Sequence, residues 1–215
     1  MPNDVAFLAD GFNLYHSIKE ADRDLGLHGV GTKWLDLRKL CHAHLHTIGN
    51  GATLASVEYF SAFANHLQSS KPGIVQRHQT YVRALESTGV TTHIHAFKRK
   101  IVRCSACATS ITRYEEKETD VALAVRIVEL AISGRFRTIC VISGDTDVAP
   151  GVRAAKRLNP NVDIRFLFPY DRYNADLEKL TGGSVTIART QYQTHQFPQS
   201  IALPNGKKLY KPSNW

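Results

Sequence analysis

The sequence lacks the features that mark exported, membrane-spanning or fibrous proteins. No apolar run approaches the roughly 20 residues that are needed to span a bilayer. The first apolar run, Val5 to Ala9, lies between Asp4 and Asp10 and is far too short for the apolar core of a signal peptide. These absences predict a cytoplasmic protein that has no membrane partner.

Cysteine is scarce, because the chain carries only Cys41, Cys104, Cys107 and Cys140. In a reducing compartment structural disulfides are not expected, so the fold must depend on its core. A chain of 215 residues is long enough for one such core, as one domain or one domain with a small appendage. With 43% hydrophobic and 21% charged residues, and no internal repeat, the chain is not collagen-like, coiled-coil or fully disordered.

Acidic residues are outnumbered by basic ones. The chain has 19 Asp and Glu against 27 Lys and Arg, a formal charge of +8 and a pI near 9.4. This excess favours a polyanionic partner, and nucleic acid is the commonest one. Many basic proteins bind no nucleic acid, so charge alone does not decide between the two interpretations.

Short apolar runs alternate with longer amphipathic segments, which predicts an α/β fold with a mostly parallel sheet and helices on both faces. Strands are predicted at 5–9, 56–62, 91–97, 137–143, 162–168 and 184–188. Helices are predicted from about residue 13 and at 34–48, 74–88, 118–132, 147–158 and 171–180. We expect a domain over 1–190 with a basic, cysteine-bearing insertion at 98–114, and a C-terminal extension over 191–215 that packs on or near it.

Carboxylates follow the two central strands of this predicted sheet. Asp10 ends the first strand, and Asp145 and Asp147 follow the strand TICVIS. Asp120 lies on the first turn of the 118–132 helix, and the Asn13 amide is close to Asp10 in sequence. Because the carboxyl ends of parallel strands meet at one edge of a sheet, we expect these side chains to lie together.

Four carboxylates in one pocket would raise each other's pKa values, and a divalent cation relieves that repulsion. Oxygen ligands alone select a hard ion such as Mg²⁺ or Mn²⁺, which can activate water and neutralise a phosphate. Each aspartate also has a structural explanation: Asp10 as a turn residue, Asp147 as a helix N-cap and Asp120 as a partner of a helix dipole. Their coincidence at one edge favours a metal site.

Three motifs in order resemble the NYN domain family, a group of PIN-like nuclease domains that includes the LabA-like proteins. The motifs are DGFN at 10–13, EKETD at 116–120 and SGDTD at 143–147, and the resemblance runs from about residue 4 to 190. The tail is similar as well, with LPNGKK at 203–208 and a closing Pro212 to Trp215. The family often has Gly and Val where this chain has Glu118 and Thr119.

The resemblance implies a PIN-like three-layer αβα sandwich and Mg²⁺- or Mn²⁺-dependent cleavage of RNA that leaves 5′-phosphate and 3′-hydroxyl ends. It implies that the metal ligands and catalytic residues are Asp10, Asp120, Asp145 and Asp147. Asn13 would support the site or contact substrate, and Lys117 would contact phosphate or balance the carboxylates. Ser143 and Thr146 would shape the loop and hydrogen-bond the aspartates. Glu118 adds a carboxylate that is either an extra ligand or solvent-facing.

Cys104 and Cys107 form a CxxC, which is half of a tetrahedral zinc site. No second CxxC exists, so the other ligands would come from Cys41, His42, His44 and His46, from His93 and His95, or from a second chain in a homodimer. The alternative is a solvated hairpin with two free thiols. His42 and His46 are spaced to chelate a metal on a helix, but a surface helix with incidental histidines is the preferred explanation.

Basic side chains cluster in two stretches that suit a nucleic-acid partner. We favour the first as a substrate-binding arm: Lys98, Arg99, Lys100 and Arg103. The second flanks the SGDTD strand and its following helix: Arg135, Arg137, Arg153, Lys156 and Arg157. Tyr15, Trp34 and Tyr114 either stack on bases near these stretches or pack in the fold.

The sequence thus predicts a metal-dependent endoribonuclease acting on single-stranded or loop RNA, with single-stranded DNA as the other candidate substrate. One alternative is a regulatory module that binds RNA without cutting it, since a fold does not fix a function. Another is a phosphatase using the same acidic edge. Against the phosphatase, no DxDx[TV] signature follows the first strand, because Gly11 and Phe12 follow Asp10.

Overall fold

A seven-stranded sheet forms the centre of the fold. The computed structural model of the chain describes residues 3–27, 31–103, 107, 109–213 and 215. The strands of the sheet are β1 Asn3–Asp10, β2 Ala52–Phe63, β3 Thr91–Arg103, β4 Ser110–Lys117, β5 Thr138–Ile142, β6 Asp163–Phe168 and β7 Ser184–Thr186. The helices are α1 Gly11–Asp24, α2 Leu37–Ala43, α3 Ile74–Ser87, α4 Thr119–Ser133, α5 Ala149–Leu158, α6 Ala175–Glu178 and α7 Arg189–Thr194. A small hairpin of β8 Ser200–Ala202 and β9 Lys208–Tyr210 follows.

The strand order is β4-β3-β2-β1-β5-β6-β7, and every pairing is parallel except that of β3 with β4. The chain builds outward from β1 in one direction through β2 and β3, and in the other through β5, β6 and β7. The order therefore reverses between β1 and β5. In open α/β sheets, ligands bind beyond the carboxyl ends of the strands at such a reversal.

Two hydrophobic clusters cover the two faces of the sheet. In β1, Phe7 and Ala9 face one cluster and Ala6 and Leu8 face the other, as the alternation of side chains along a strand requires. Helices α1, α2, α3 and α7 pack on the first face, and α4, α5 and α6 pack on the second. The predicted α/β three-layer fold with a mostly parallel sheet is therefore confirmed.

Several predicted elements have different limits in the structure. A continuous helix over 34–48 is wrong: α2 begins after Asp36, whose Oδ1 accepts from the Lys39 amide at 3.0 Å, and a 3-10 turn follows it. The predicted strand at 91–97 is too short, because β3 continues to Arg103 and pairs with β4. Trp34 is fully buried against Phe197, so stacking on nucleic acid is not its role.

Within the described residues, no helix is both long enough and apolar enough to cross a membrane. The last residues of the chain are in contact with the first face of the sandwich. Tyr192 and Leu209 belong to its core, and the Trp215 ring packs against Trp34 and Tyr81.

Candidate active site

Asp10 ends β1 at the reversal point and caps the first turn of α1. Its Oδ1 accepts from the Phe12 and Asn13 amides, at 3.0 Å each, as expected of an N-cap aspartate. Its Oδ2 accepts from the Ser143 hydroxyl at 2.9 Å. Only 4% of Asp10 is exposed, so hydrogen bonds and burial fix the orientation of this carboxylate.

The loop after β5 brings the SGDTD segment to the same place. Ser143 Oγ accepts from the Asp145 amide at 3.1 Å while it donates to Asp10. The Gly144 amide donates to Asn13 Oδ1 at 3.0 Å, so the amide NH₂ of Asn13 remains a donor. Asp145 Oδ1 accepts from the Asp147 amide at 3.0 Å. These contacts tie the loops after β1 and β5 into one unit.

Gly144 is required because the loop after β6 passes directly over it. A Cβ at Gly144 would lie 1.9 Å from the Arg172 carbonyl oxygen, well inside any van der Waals contact. The carbonyl of Gly144 also accepts from Asn174 Nδ2 at 3.4 Å. The third loop of the edge is therefore packed against the second, which places Arg172 beside the site.

Asp120 reaches the edge from the first turn of α4, on the second face of the sheet. The residue that caps this helix, Glu118, has a left-handed φ of 79°. A side chain in that region is strained, whereas glycine adopts it freely. This backbone geometry explains why the NYN family often has glycine at the position that Glu118 occupies. The Glu118 side chain is exposed and forms an ion pair with Lys98 Nζ at 2.5 Å.

The aspartates influence each other's ionisation. Burial raises the pKa of Asp10 from 3.8 to about 6, hydrogen bonds from Asn13 and Ser143 lower it, and the charges of Asp120 and Asp145 raise it further. Burial also raises the pKa of Asp120, and Asp145 and Asp147 add to that increase. These shifts indicate that the charges of Asp120 and Asp145 act on Asp10, and that those of Asp145 and Asp147 act on Asp120. Ser143 links Asp10 to the loop that carries Asp145, whereas a shared ligand set of all four aspartates remains a prediction.

None of the four aspartates forms an ion pair with a described Lys, Arg or His side chain. Within the described part of the chain, no three His, Cys, Asp or Glu side chains already converge as a cation site. The donors nevertheless fit a hard divalent cation by type, because all are carboxylate oxygens whose charges repel. Asp10 Oδ2 has one hydrogen-bond partner, Ser143, and so keeps a lone pair for another.

The predicted supporting residues differ in their surroundings. Ser143 and Asn13 bridge the two central loops, whereas Thr146 is exposed at the start of the 3-10 turn after Asp145. Lys117 ends β4 and forms an ion pair with Glu115 at 2.9 Å. It forms no ion pair with a described aspartate of the site, and its contact with phosphate remains a prediction.

The basic run at 98–103 lies along β3, in the hairpin that we call the β3–β4 arm (91–103 and 110–117). Lys98 is paired with Glu118 and Lys100 with Glu115. Arg99 forms no ion pair with a described side chain, and Arg103 ends the strand. The predicted substrate-binding residues are therefore exposed on one hairpin, where Lys98 and Lys100 already have acidic partners.

The structure adds little to the predicted zinc site. Cys104 lies outside the described residues, and Cys107 is exposed, with its thiol 3.3 Å from Thr109 Oγ1. Cys41 is buried in the core, and His93 Nε2 lies 2.8 Å from Glu58 Oε2. Zinc at the CxxC remains a prediction.

Sequence reasoning missed Arg172. Its backbone touches Gly144, and its side chain forms no ion pair with a described carboxylate. Its charge acts on His16 of α1. Burial lowers the pKa of His16, and the positive charges of Arg172 and Lys19 lower it further. The signal was present, because Arg172 closely follows the strand at 162–168 and so lies at the same carboxyl edge.

The sequence model of the NYN domain matches residues 4–179, which is most of the chain. The chain belongs to the NYN domain family. NYN domains are part of the PIN-like nuclease superfamily, as the motifs DGFN, EKETD and SGDTD predicted, and the observed sheet agrees with that fold.

Two further proteins are similar to this NYN domain protein. One is 6-hydroxy-3-succinoylpyridine 3-monooxygenase HspA of Pseudomonas putida, 26% identical in an alignment that covers 96% of this chain and 73% of that protein. The other is a solved structure of a protein of unknown function, VPA0982, from Vibrio parahaemolyticus. It has a TM-score of 0.55 and 16% identity, and the match covers 87% of this chain and 94% of that one. At this identity the likeness shows the fold alone.

Proposed function

We propose that this NYN domain protein is a metal-dependent endoribonuclease. The observation that carries the proposal is the group of aspartates at the reversal point of the sheet. Asp10 and Asp120 have raised pKa values, and none of the four is neutralised by a described basic side chain. A cluster of carboxylates without cationic partners is the electrostatic arrangement that a divalent cation stabilises.

The ligands of that cation would be the four carboxylates of Asp10, Asp120, Asp145 and Asp147. Once bound, Mg²⁺ or Mn²⁺ supplies activation of water and neutralisation of charge on a phosphate. The side chains around it hold and orient these ligands. Ser143 fixes Asp10 Oδ2 and positions the Asp145 amide at the same time.

Two neighbouring groups suit the phosphodiester. The Asn13 side chain accepts from Gly144 through its Oδ1, so its NH₂ is available to donate to a phosphate oxygen. Arg172, whose backbone passes over Gly144, carries a guanidinium, and this group forms planar, bidentate contacts with phosphates. An acidic centre with basic groups around it matches a polyanionic backbone that is held at the rim and cut at the centre.

RNA in single-stranded form is the substrate that we propose. The net charge of +8 favours a polyanion, and unstacked strands leave a backbone that can enter a compact pocket. A duplex holds its bases in the stack and presents a wider, stiffer surface to the loops after β1, β5 and β6.

The test is cleavage of end-labelled single-stranded RNA and DNA in Mn²⁺, Mg²⁺ or EDTA. Wild type is compared with Asp145→Asn and with Asp4→Asn as a matched control. Asp4 lies at the other end of β1 and accepts from Thr53, a contact that asparagine retains. We expect metal-dependent cutting by wild type and Asp4→Asn, and loss of cutting in Asp145→Asn.

Other outcomes assign other functions. RNA binding without cleavage in any metal would contradict the nuclease and favour a binding module. Hydrolysis of a generic phosphomonoester that exceeds RNA cleavage would favour a phosphatase. Equal residual cutting by wild type and Asp145→Asn would point to a contaminating nuclease.

The similarity to HspA favours a second candidate, oxygenation of a hydroxypyridine. A monooxygenase inserts one atom of dioxygen into its substrate and reduces the other to water, with two electrons from a reductant. The direct check is to incubate the protein with 6-hydroxy-3-succinoylpyridine, dioxygen and a reduced nicotinamide or flavin. Product formation that Asp145→Asn retains would separate this activity from the nuclease site.

A further inference from the structure

Four rings form a continuous cluster outside both hydrophobic cores. Phe97 packs edge-on against Phe12, with ring centroids 5.5 Å apart. His66 lies 4.6 Å from Phe97 and is stacked on Tyr114, with centroids 4.5 Å apart and planes 10° from parallel. None of the four belongs to either core cluster. We call Phe12, His66, Phe97 and Tyr114 the aromatic platform.

The platform adjoins the acidic site. Phe12 lies two residues after Asp10, and its amide donates to the Asp10 carboxylate. The strand register explains how the other rings reach it: Asp10 pairs with Phe60, and Phe60 with His93. β3 therefore continues past the level at which β1 ends, and the arm carries Phe97 and Tyr114 above the carboxyl edge.

The outermost ring of the platform is open to solvent. Tyr114 is 43% exposed, and its hydroxyl makes no hydrogen bond to a described residue. Below it, the Nδ1 of His66 is buried without a hydrogen-bond partner among the described residues. An exposed tyrosine supported by a parallel ring contributes little to a core, so folding alone does not explain the arrangement.

A basic side chain that suits a polyanion lies beside the open ring. Arg99 pairs directly with Tyr114 across the arm, so the two side chains lie on the same face of the hairpin as Phe97. Among the side chains that the structure describes, none forms an ion pair with Arg99. The lysines Lys98 and Lys100, which have acidic partners, lie on the opposite face.

We propose that the aromatic platform is a stacking site for a nucleobase of single-stranded RNA, with Tyr114 as the contact ring and Arg99 as a phosphate contact. A base on Tyr114 would extend the existing stack of Tyr114 on His66 by one ring. All bases have a π-face, so the site accepts any sequence but requires an unpaired base. This inference rests on the proposed function, because that function makes RNA the ligand. It adds that the RNA reaching the acidic site would be single-stranded.

The test measures equilibrium binding in EDTA, where no cleavage occurs, with a fluorescein-labelled 12-nucleotide RNA. The probes are the single strand, the same strand with consecutive abasic positions, and its duplex. The variants are Tyr114→Leu, which keeps apolar area without a π-face, Tyr114→Phe, and the exposed control Tyr210→Ala from β9. Circular dichroism melting checks that each variant is folded.

We expect Tyr114→Leu to weaken binding of the single strand by about 5- to 100-fold. Tyr114→Phe and Tyr210→Ala should bind like wild type, because the hydroxyl and the distant ring are not needed. Wild type should bind the abasic strand and the duplex as weakly as Tyr114→Leu binds the single strand. A Tyr114→Trp variant adds a direct signal, since stacking of a base quenches indole fluorescence.

Three results would overturn the platform: unchanged single-strand binding in Tyr114→Leu, an equal loss toward all three probes, or no RNA binding by wild type. The first two are compatible with metal-dependent cleavage and leave the nuclease proposal intact. Conversely, a platform that binds as expected in a protein that never cuts RNA would contradict the nuclease and retain the stacking site.

Discussion

The acidic site and the β3–β4 arm handle charge in opposite ways. In the acidic site, Asp10 is buried and held by amide and hydroxyl donors, and no described cation neutralises it. On the arm, the lysines are exposed and already paired: Lys98 with Glu118, and Lys100 and Lys117 with Glu115. Exposed pairs of this kind contribute little, about 0–1 kcal/mol each.

This difference indicates where a ligand would gain the most binding free energy. A cation that enters the acidic site removes repulsion that the fold leaves uncompensated, so the gain there is large. A phosphate that approaches Lys98 must compete with Glu118, so the gain on that face is small. Under the proposed function, binding of RNA to the arm would therefore depend more on Tyr114 and Arg99, on the other face, than on the number of lysines.

We expect the greatest loss of activity from a substitution in the acidic site. Asp10→Asn should reduce metal-dependent cleavage by about 1,000-fold, because the loss of a ligand removes several kcal/mol of charge stabilisation in the transition state. Single-turnover cleavage of labelled RNA measures it, with Asp4→Asn on the same strand as the control. Equal activity of the two variants would show that Asp10 has only its capping role.

The same substitution should have the opposite effect on stability. Below pH 3.8 Asp10 is protonated in both states. As the pH rises toward 6 the unfolded chain ionises first, so the stability that this group contributes is lost through that window. The rise in pKa from 3.8 to about 6 corresponds to about 3 kcal/mol. Asparagine has no such charge and keeps the N-cap.

Urea unfolding in EDTA at pH 4, 5.5 and 7.5 measures this effect as the difference between Asp10→Asn and wild type. Other titrating groups cancel in that difference. We expect the variant to gain up to about 3 kcal/mol relative to wild type as the pH rises. A difference that does not change with pH would mean that Asp10 ionises normally in the folded protein.

A smaller effect concerns the link between the two central loops. Ser143→Ala removes the donor to Asp10 Oδ2 and the acceptor of the Asp145 amide. Loss of a group that orients metal ligands costs about 10- to 100-fold in affinity or activity. Titration of cleavage with Mn²⁺ measures the loss, and Thr146→Ala, in the same loop but exposed, should change little. Similar behaviour of the two alanine variants would contradict the role of Ser143.

The smallest effect tests the arm. Arg99→Gln should remove one phosphate contact and reduce the slope of log Kd against log salt by about 0.7 for single-stranded RNA. Lys98→Gln should leave the slope nearly unchanged, because Glu118 already balances that lysine. Glu118→Gln should tighten binding by releasing Lys98. Equal slopes for Arg99→Gln and Lys98→Gln would show that the ion pairs do not matter for RNA.

Much of the fold was predictable from local pattern. The apolar runs VAFLA and TICVI became β1 and β5, because strands buried on both faces need continuous hydrophobic residues. The predicted helix at 118–132 became α4 with a shift of one residue. The predicted helix at 34–48 failed because Asp36 starts α2 later, and a capping contact depends on backbone geometry that spacing does not reveal.

The arm was harder to predict for a related reason. Ile101 and Ile111 are exposed on β3 and β4, so these strands lack the burial pattern that identifies a strand from sequence. Antiparallel pairing between β3 and β4, which runs from Ala96 with Lys117 to Arg103 with Ser110, holds these two strands in place instead. Backbone hydrogen bonds between strands carry no sequence period, and the basic residues were therefore taken for a connecting insertion.

The α/β class and the edge of the sheet that carries Asp10, Asp120, Asp145 and Asp147 could be read from the sequence, because alternating strands and helices force parallel strands to end on one side. The contacts between side chains from distant parts of the chain became clear only from the tertiary structure. The contacts of Ser143 with Asp10, of His66 with Tyr114, and of Arg172 with Gly144 join residues far apart in the chain. Such contacts follow from strand order and register, which a local pattern of burial does not contain.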